Sequence, residues 1–177
     1  KVENGFLLIN EVDMEHYVAG VIPSEMPTSY NMEALKVQAV AARTYAMSSK
    51  EHSRYEAYGA DLDDTTASQV YNNIAADKRA YEAAKATKGL VLKADGQLVS
   101  AKFFAASCGF TANSGEVWAE GENFPCDSPK YLSVSKQYLS LSPAGDLREE
   151  ANMAAFIKKS PEKLDALDKD SPWFRWQ

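Results

Sequence analysis

The chain has 177 residues, 45% hydrophobic and 25% charged, which fits one globular domain with a buried core and excludes the disordered and fibrous classes. Its formal charge of −6 excludes a nucleic-acid binder that works by displacing phosphate counterions with a basic surface. No apolar run approaches the roughly 18 residues of a membrane span, and the start at Lys1 rather than Met reads as a trimmed end from which an anchor has been removed.

In chain order, GFLLIN (5–10) is a short apolar run and predicts a buried strand. Asp13 then caps a short helix in which Met14, Tyr17, Val18 and Val21 repeat at helical spacing. The strongest helical stretch is NMEALKVQAVAARTYAMSSK (31–50), with Asn31 as its cap, Glu33 in its first turn, and alanines at 34, 39, 41, 42 and 46 that let another backbone approach closely. That predicts a buried central helix. Lys36 and Arg43, seven residues apart, are expected on one face of it, as groove-lining cations or as a solvated polar stripe.

Residues 52–73 read as a long structured loop, and 77–88 as another helix stopped by Gly89. Its aspartates Asp61, Asp63 and Asp64 lack the glycine and distant glutamate of a calcium loop and read as turn carboxylates. Two apolar runs joined by Asp95-Gly96 predict a β-hairpin with a type I′ turn. The small, polar CGFTANSGEVW (108–118) resembles chain that lines a site, and beyond Pro143 one or two helices precede an aromatic end. Helices mixed with an antiparallel hairpin give an α+β class, helix-rich, with the substrate groove expected between helical and β parts. Cys108 and Cys126 are too few for a disulfide framework and fit either one bridge or two ordinary thiols.

Between the first two helices lies GVIPSEMPTSY (20–30), which sets Glu25 between Pro23 and Pro27. Each proline fixes its own φ and disfavours the helical region for the residue before it, so Ser24, Glu25 and Met26 have few conformations to lose. Such rigidity suits a reacting carboxylate, and it equally suits a tight linker between helices.

The run EHYVAGVIPSEMPTSYNMEALKVQAVAARTYA (15–46) resembles the opening of the SpoIID/LytB family. The similarity continues through DTTASQVY (64–71), the hairpin stretch ATKGLVLKADGQLVSAKFFAAS (86–107) and GFTANSGEVW (109–118), in the family's order. It implies a single SpoIID-like domain over 1–177, truncated at both ends. The activity implied is that of a lytic transglycosylase, cleaving the bond between N-acetylmuramic acid and N-acetylglucosamine in peptidoglycan to leave a 1,6-anhydro end. Glu25 is then the catalytic acid. With Lys36 and Arg43, Gln69, Tyr71, Ser107 and Thr111 become substrate-binding candidates, Glu116 a further polar one and Trp118 a wall for the sugar.

Lytic cleavage consumes no water, so one carboxylate serves twice: it protonates the leaving oxygen, then accepts the proton of the sugar's own 6-hydroxyl. The first step needs the acid protonated, for which partial burial near Val21, Met26 and Tyr30 is the expected device. Some relatives carry zinc-associated His and Cys before the QVY segment, where this chain has Ala67 and Ser68, so no metal or other cofactor is expected. The resemblance also implies an extracytoplasmic, membrane-anchored full-length protein, in the space between mother cell and forespore if its role is in sporulation and engulfment. There a Cys108–Cys126 disulfide is open to it, and its partners are glycan strands, a cell-wall amidase and a membrane complex. A non-catalytic, amidase-enhancing module is the alternative within the same family.

Overall fold

The computed structural model describes residues 5–51, 53–75, 77–107, 109–118, 123–137, 145–146, 149–159 and 166–172. The chain forms two compact units, Lys1–Phe103 and Phe104–Gln177. The first holds helices α1 (Met14–Glu25), α2 (Met32–Lys50) and α3 (Lys78–Ala86), with an antiparallel pair of two-residue strands, β1 (Lys93–Ala94) and β2 (Gln97–Leu98). The second holds α4 (Glu150–Lys158) and short 3-10 turns at Ser114–Glu116 and Lys130–Leu132. The class is the α+β, helix-rich one expected.

Local chemistry explains each boundary of the first unit. Asp13 Oδ1 accepts the amides of Glu15 and His16 at 2.9 and 3.3 Å, Asn31 Oδ1 accepts that of Glu33 at 2.9 Å, and Asp77 Oδ1 accepts those of Arg79 and Ala80 at 2.7 and 3.2 Å. Three helices thus start on side-chain caps that satisfy otherwise orphaned amides. The hairpin turns through Asp95 and Gly96, both at positive φ (49° and 82°), as a type I′ turn requires.

The core is small-residue packing. Val18, Ala19 and Ile22 of α1, Leu35 and Ala39 of α2, and Ala80, Ala83 and Ala84 of α3 form one buried cluster, with Met14, Tyr17, Met26 and Met32 packed on it. Alanines at the helix contacts bring the three backbones close together. Thr44 ties the following segment to α2, its hydroxyl donating to the Val40 carbonyl at 2.6 Å and accepting the Leu92 amide at 2.9 Å.

Two expectations fail here. Residues 6–10 form no strand, and Phe6 and Leu8 stand 90% and 94% exposed. An apolar run becomes a buried strand only where another strand offers a hydrogen-bonding edge, and none among the described residues pairs with 6–10. Nor does α1 end ahead of Pro23; it runs on through Glu25. Proline's fixed φ is itself helical, so its cost is one lost amide donor, tolerated here in the last helical turn.

In the second unit, Phe110 and Lys136 form an antiparallel bridge. Around it the Thr111 amide donates to Ser135 O at 2.9 Å and the Gln137 amide to Gly109 O at 2.8 Å. Gly115 lies against the 126–128 segment: its amide donates to Ser128 Oγ at 2.8 Å, and its carbonyl accepts the Cys126 amide at 3.0 Å. A Cβ at 115 would sit 1.7 Å from the Cys126 carbonyl oxygen. Gly115→Ala must therefore push two backbones apart, and thermal unfolding should show a loss of at least about 1–3 kcal/mol, the usual range for overpacking.

Candidate functional site

Glu25 is the last helical residue of α1. Met26 leaves the helix in an extended conformation (φ −145°, ψ 137°), the geometry that a following proline favours, and its amide still closes on Ile22 O at 2.8 Å. Helical backbone on one side and a pre-proline bend on the other therefore fix the Cα of Glu25. Its side chain is half-buried. Oε1 accepts the Val70 amide at 2.8 Å, and Oε2 has no hydrogen-bond partner among the described residues.

That contact is one stitch of a seam. Residues 69–72 lie along α1. Gln69 Oε1 accepts the Tyr17 hydroxyl at 3.1 Å, and the Asn72 amide donates to Ser24 Oγ at 3.1 Å, while the same hydroxyl donates to Gly20 O at 3.0 Å. The Tyr71 ring stacks on Tyr17 (centroids 5.5 Å apart, planes at 11°) and occupies the space beside Gly20, where a Cβ would meet its Cε2 at 2.5 Å. Glycine at 20 is what lets the ring lie on the helix. Gln69 also donates from Nε2 to Ala42 O of α2 at 3.2 Å.

The Tyr17 hydroxyl stays a neutral donor. Burial above all, and then the neighbouring Tyr45, Glu25, Tyr71 and Asp63, push it well above the usual phenol range. Beside Tyr45 a polar hollow opens, lined among others by Ser49, Arg54, Tyr55, Asp61 and Ser68. The groove expected between helical and β parts is not this one: α2 and the following loop form its walls, and no hairpin residue enters them. Asp63 braces the loop, accepting the Tyr55 hydroxyl at 2.6 Å and, through its two oxygens, the Thr65 amide and hydroxyl, both at 3.2 Å. Asp61 pairs with Lys50 at 3.5 Å, and no cluster of metal-ligating side chains occurs among the described residues.

The family model described as "SpoIID: Stage II sporulation protein" matches residues 2–93, more than half of the chain and most of the unit that carries Glu25. The chain belongs to the SpoIID family. Its relatives include the "Amidase enhancer" of Bacillus subtilis, 43% identical over 100 residues (56% of this chain, 13% of that protein). "Stage II sporulation protein D" of the same organism is 32% identical over 171 residues, covering 89% of this chain and 48% of that protein. Its namesake from Bacillus amyloliquefaciens is 33% identical over 149 residues, covering 71% and 43%. The chain spans about half the length of the sporulation proteins and much less of the enhancer.

The other predicted residues of this SpoIID chain fall into different surroundings. Arg43 is buried, where a solvated stripe or a groove cation was expected. It forms a fork with Glu15, Nε to Oε1 at 3.1 Å and Nη2 to Oε2 at 2.6 Å, and donates to the carbonyls of Ala39, Ala84 and Leu90. Glu15 in turn accepts the Gly89 amide at 3.2 Å. Lys36, on the same helix, pairs with Glu33 at 2.7 Å and keeps a third of its side chain exposed.

Gln69 is 1% exposed and has both ends of its amide engaged, whereas Tyr71 stays half-buried beside Glu25's helix. Val21 and Met26 face the core, and Tyr30 is exposed. In the second unit, the Ser107 amide and hydroxyl both reach Asp168 Oδ2, at 2.8 and 3.1 Å, and Thr111 Oγ1 accepts the Ser135 amide at 2.7 Å. Glu116 accepts from Asn113 Nδ2 at 3.0 Å. The Cys126 thiol donates to the Trp118 carbonyl at 3.3 Å; Cys108 lies outside the described residues, and with it the predicted pairing.

Sequence reasoning passed over Gln38. It is buried on α2, and its Nε2 has no hydrogen-bond partner among the described residues. Helical spacing sets it on the face that carries Ala42 and Tyr45. A buried glutamine within an alanine run was the signal.

Two outcomes follow from these contacts. Arg43→Met strands Glu15 beside the core and should cost about 3–5 kcal/mol in denaturant unfolding, while Arg43→Met with Glu15→Leu should recover much of it. For Asp63, burial alone would raise the carboxyl, but the hydrogen bonds from Tyr55, Thr65 and Ser68 hold it below the ordinary 3.8. A depressed value means that its bracing is complete above the unfolded value and is lost as pH falls through the folded one. The Tyr55 ring signals in NMR should therefore hold steady at mild acidity and shift only below about pH 3.8.

Proposed function

We propose that this SpoIID chain is a peptidoglycan lytic transglycosylase in which Glu25 is both the acid and the base. The observation that carries the reading is the asymmetric Glu25 carboxyl group, with Oε1 held by the Val70 amide and Oε2 without a hydrogen-bond partner among the described residues. A group that must release and then recover a proton needs one fixed oxygen and one available to substrate.

In the first step the proton on Oε2 passes to the glycosidic oxygen as the bond from the muramic acid C1 to that oxygen breaks. In the second, the C6 hydroxyl oxygen bonds to C1 and its proton returns to Oε2, so the enzyme ends as it began and no water is consumed. The developing positive charge at C1 is stabilised by the carboxylate left behind. Tyr71, half-buried beside α1, offers a face for a sugar ring.

A second reading has a specific support, the 43% identity to a protein named amidase enhancer: a glycan-binding module that raises the activity of a wall amidase without cleaving the glycan itself. The sporulation role, the extracytoplasmic location, and attachment to a membrane complex belong to the proposal on the strength of the relatives' names. Among the described residues, no helix is long and apolar enough to cross a membrane.

Digestion of purified glycan strands, with and without their stem peptides, separates the two readings. The lytic enzyme yields 1,6-anhydromuramyl ends detectable by mass spectrometry, and Glu25→Gln should lower their rate of formation by at least about 10²-fold, the low end for a general acid–base group, while sedimentation with the glycan persists. Binding without anhydro product from the unaltered chain would favour the enhancer reading.

A further inference from the structure

We infer that Gln69 is a positioning residue for Glu25, the anchor of a four-residue strap that delivers the Val70 amide to the carboxyl group, and that it does not touch the glycan. The inference rests on Glu25 being the acting group.

A glutamine that binds sugar needs an open amide. Gln69 is 1% exposed, and its two polar atoms are used inside the protein, Oε1 by the Tyr17 hydroxyl of α1 and Nε2 by the Ala42 carbonyl of α2. Those partners also fix which way the amide points. A carbonyl can only accept, so Ala42 faces the NH2 group, which leaves the amide oxygen to the neutral Tyr17 hydroxyl that donates to it. No other uncharged side chain of this length supplies both ends.

What the clamp holds is the next residue. Among the described contacts, the sole hydrogen bond to Glu25 comes from the Val70 amide, and a glutamate has three side-chain torsions to restrain. Val70 keeps its place only while the chain on either side is pinned. Asn72 pins the far side through Ser24 Oγ, and Tyr71 lies on Tyr17 and Gly20. Gln69 pins the near side and, among the described hydrogen bonds, is the strap residue that joins α2 as well as α1. Losing its amide frees Val70 to drift by a fraction of an ångström to an ångström, the scale on which a misplaced catalytic group costs about 10²-fold in rate.

The test uses the chain as it stands, isotope-labelled, with Gln69→Leu and Tyr17→Phe. Hydrogen exchange read by NMR should accelerate at the Val70 amide by at least about 10-fold in Gln69→Leu and to a lesser degree in Tyr17→Phe, because exchange tracks the free energy of local opening. The amides of Ala39 and Ala42 in α2 should keep their protection. On peptide-free glycan strands, kcat should fall by about 10–10²-fold with KM unchanged, the pattern of a group that shapes the transition state rather than binds the substrate.

Wild-type protection at Val70 in both variants, or a raised KM with kcat unchanged, would overturn the inference. If Gln69→Leu does not fold, Tyr17→Phe, which keeps the stacked ring and removes one hydroxyl, decides by the same two readouts. Exchange is measured without substrate. A wild-type chain that cleaves no glycan therefore sinks the proposed activity, while the strap is still judged on Val70.

Discussion

The hydrogen bond from the Val70 amide to Glu25 Oε1 joins two stretches 45 residues apart in the chain, and the site depends on it. Neither stretch supplies the geometry alone. The end of α1 fixes where the glutamate's backbone stands, through a helical turn that contains Pro23 and a bend imposed by Pro27. The orientation of the carboxyl group is set from outside the helix, by a strap whose residues meet Tyr17, Glu25, Gly20 and Ser24 in turn. Proline restricts the backbone and the strap restricts the side chain.

Such a strap needs a rigid surface to lie on, and the small-residue core supplies it. Alanines at the contacts of α1, α2 and α3 allow close approach but bury little apolar area each, so directional bonds carry more of the specification. The Arg43–Glu15 pair does that at the centre. One guanidinium reaches a carboxylate on α1, a carbonyl at the end of α3, and the chain entering the hairpin at Leu90, which fixes the three helices in one relative arrangement. An apolar side chain of similar volume would fill the space without choosing among packings.

The legible part of the sequence was whatever short-range chemistry decides. Asp13 and Asn31 announced their helices because a cap acts within three residues, and Asp95-Gly96 announced its turn because both positions need positive φ. Glu25 was legible by a different route, through the similarity of its surrounding words to a family's. The strand expected at 5–10 failed because a strand is a relation between two segments and the apolar run states only one of them.

Arg43 and Gln69 mark the boundary of that method. Both sit in positions where polarity in the sequence reads as a surface or a ligand, yet each is nearly inaccessible and has its polar atoms met by protein groups. Apart from the Ala39 carbonyl one turn before Arg43, their partners lie 27 to 52 residues away, on α1, on α2 and near or just beyond the end of α3, and no local pattern encodes a bond across that distance. A polar residue inside an alanine-rich motif is thus a sign that something must be paired, without saying whether protein or substrate does the pairing. In Gln38 the pairing is missing: its Nε2 is buried and has no hydrogen-bond partner among the described residues, an exception to the rule that buried donors are satisfied.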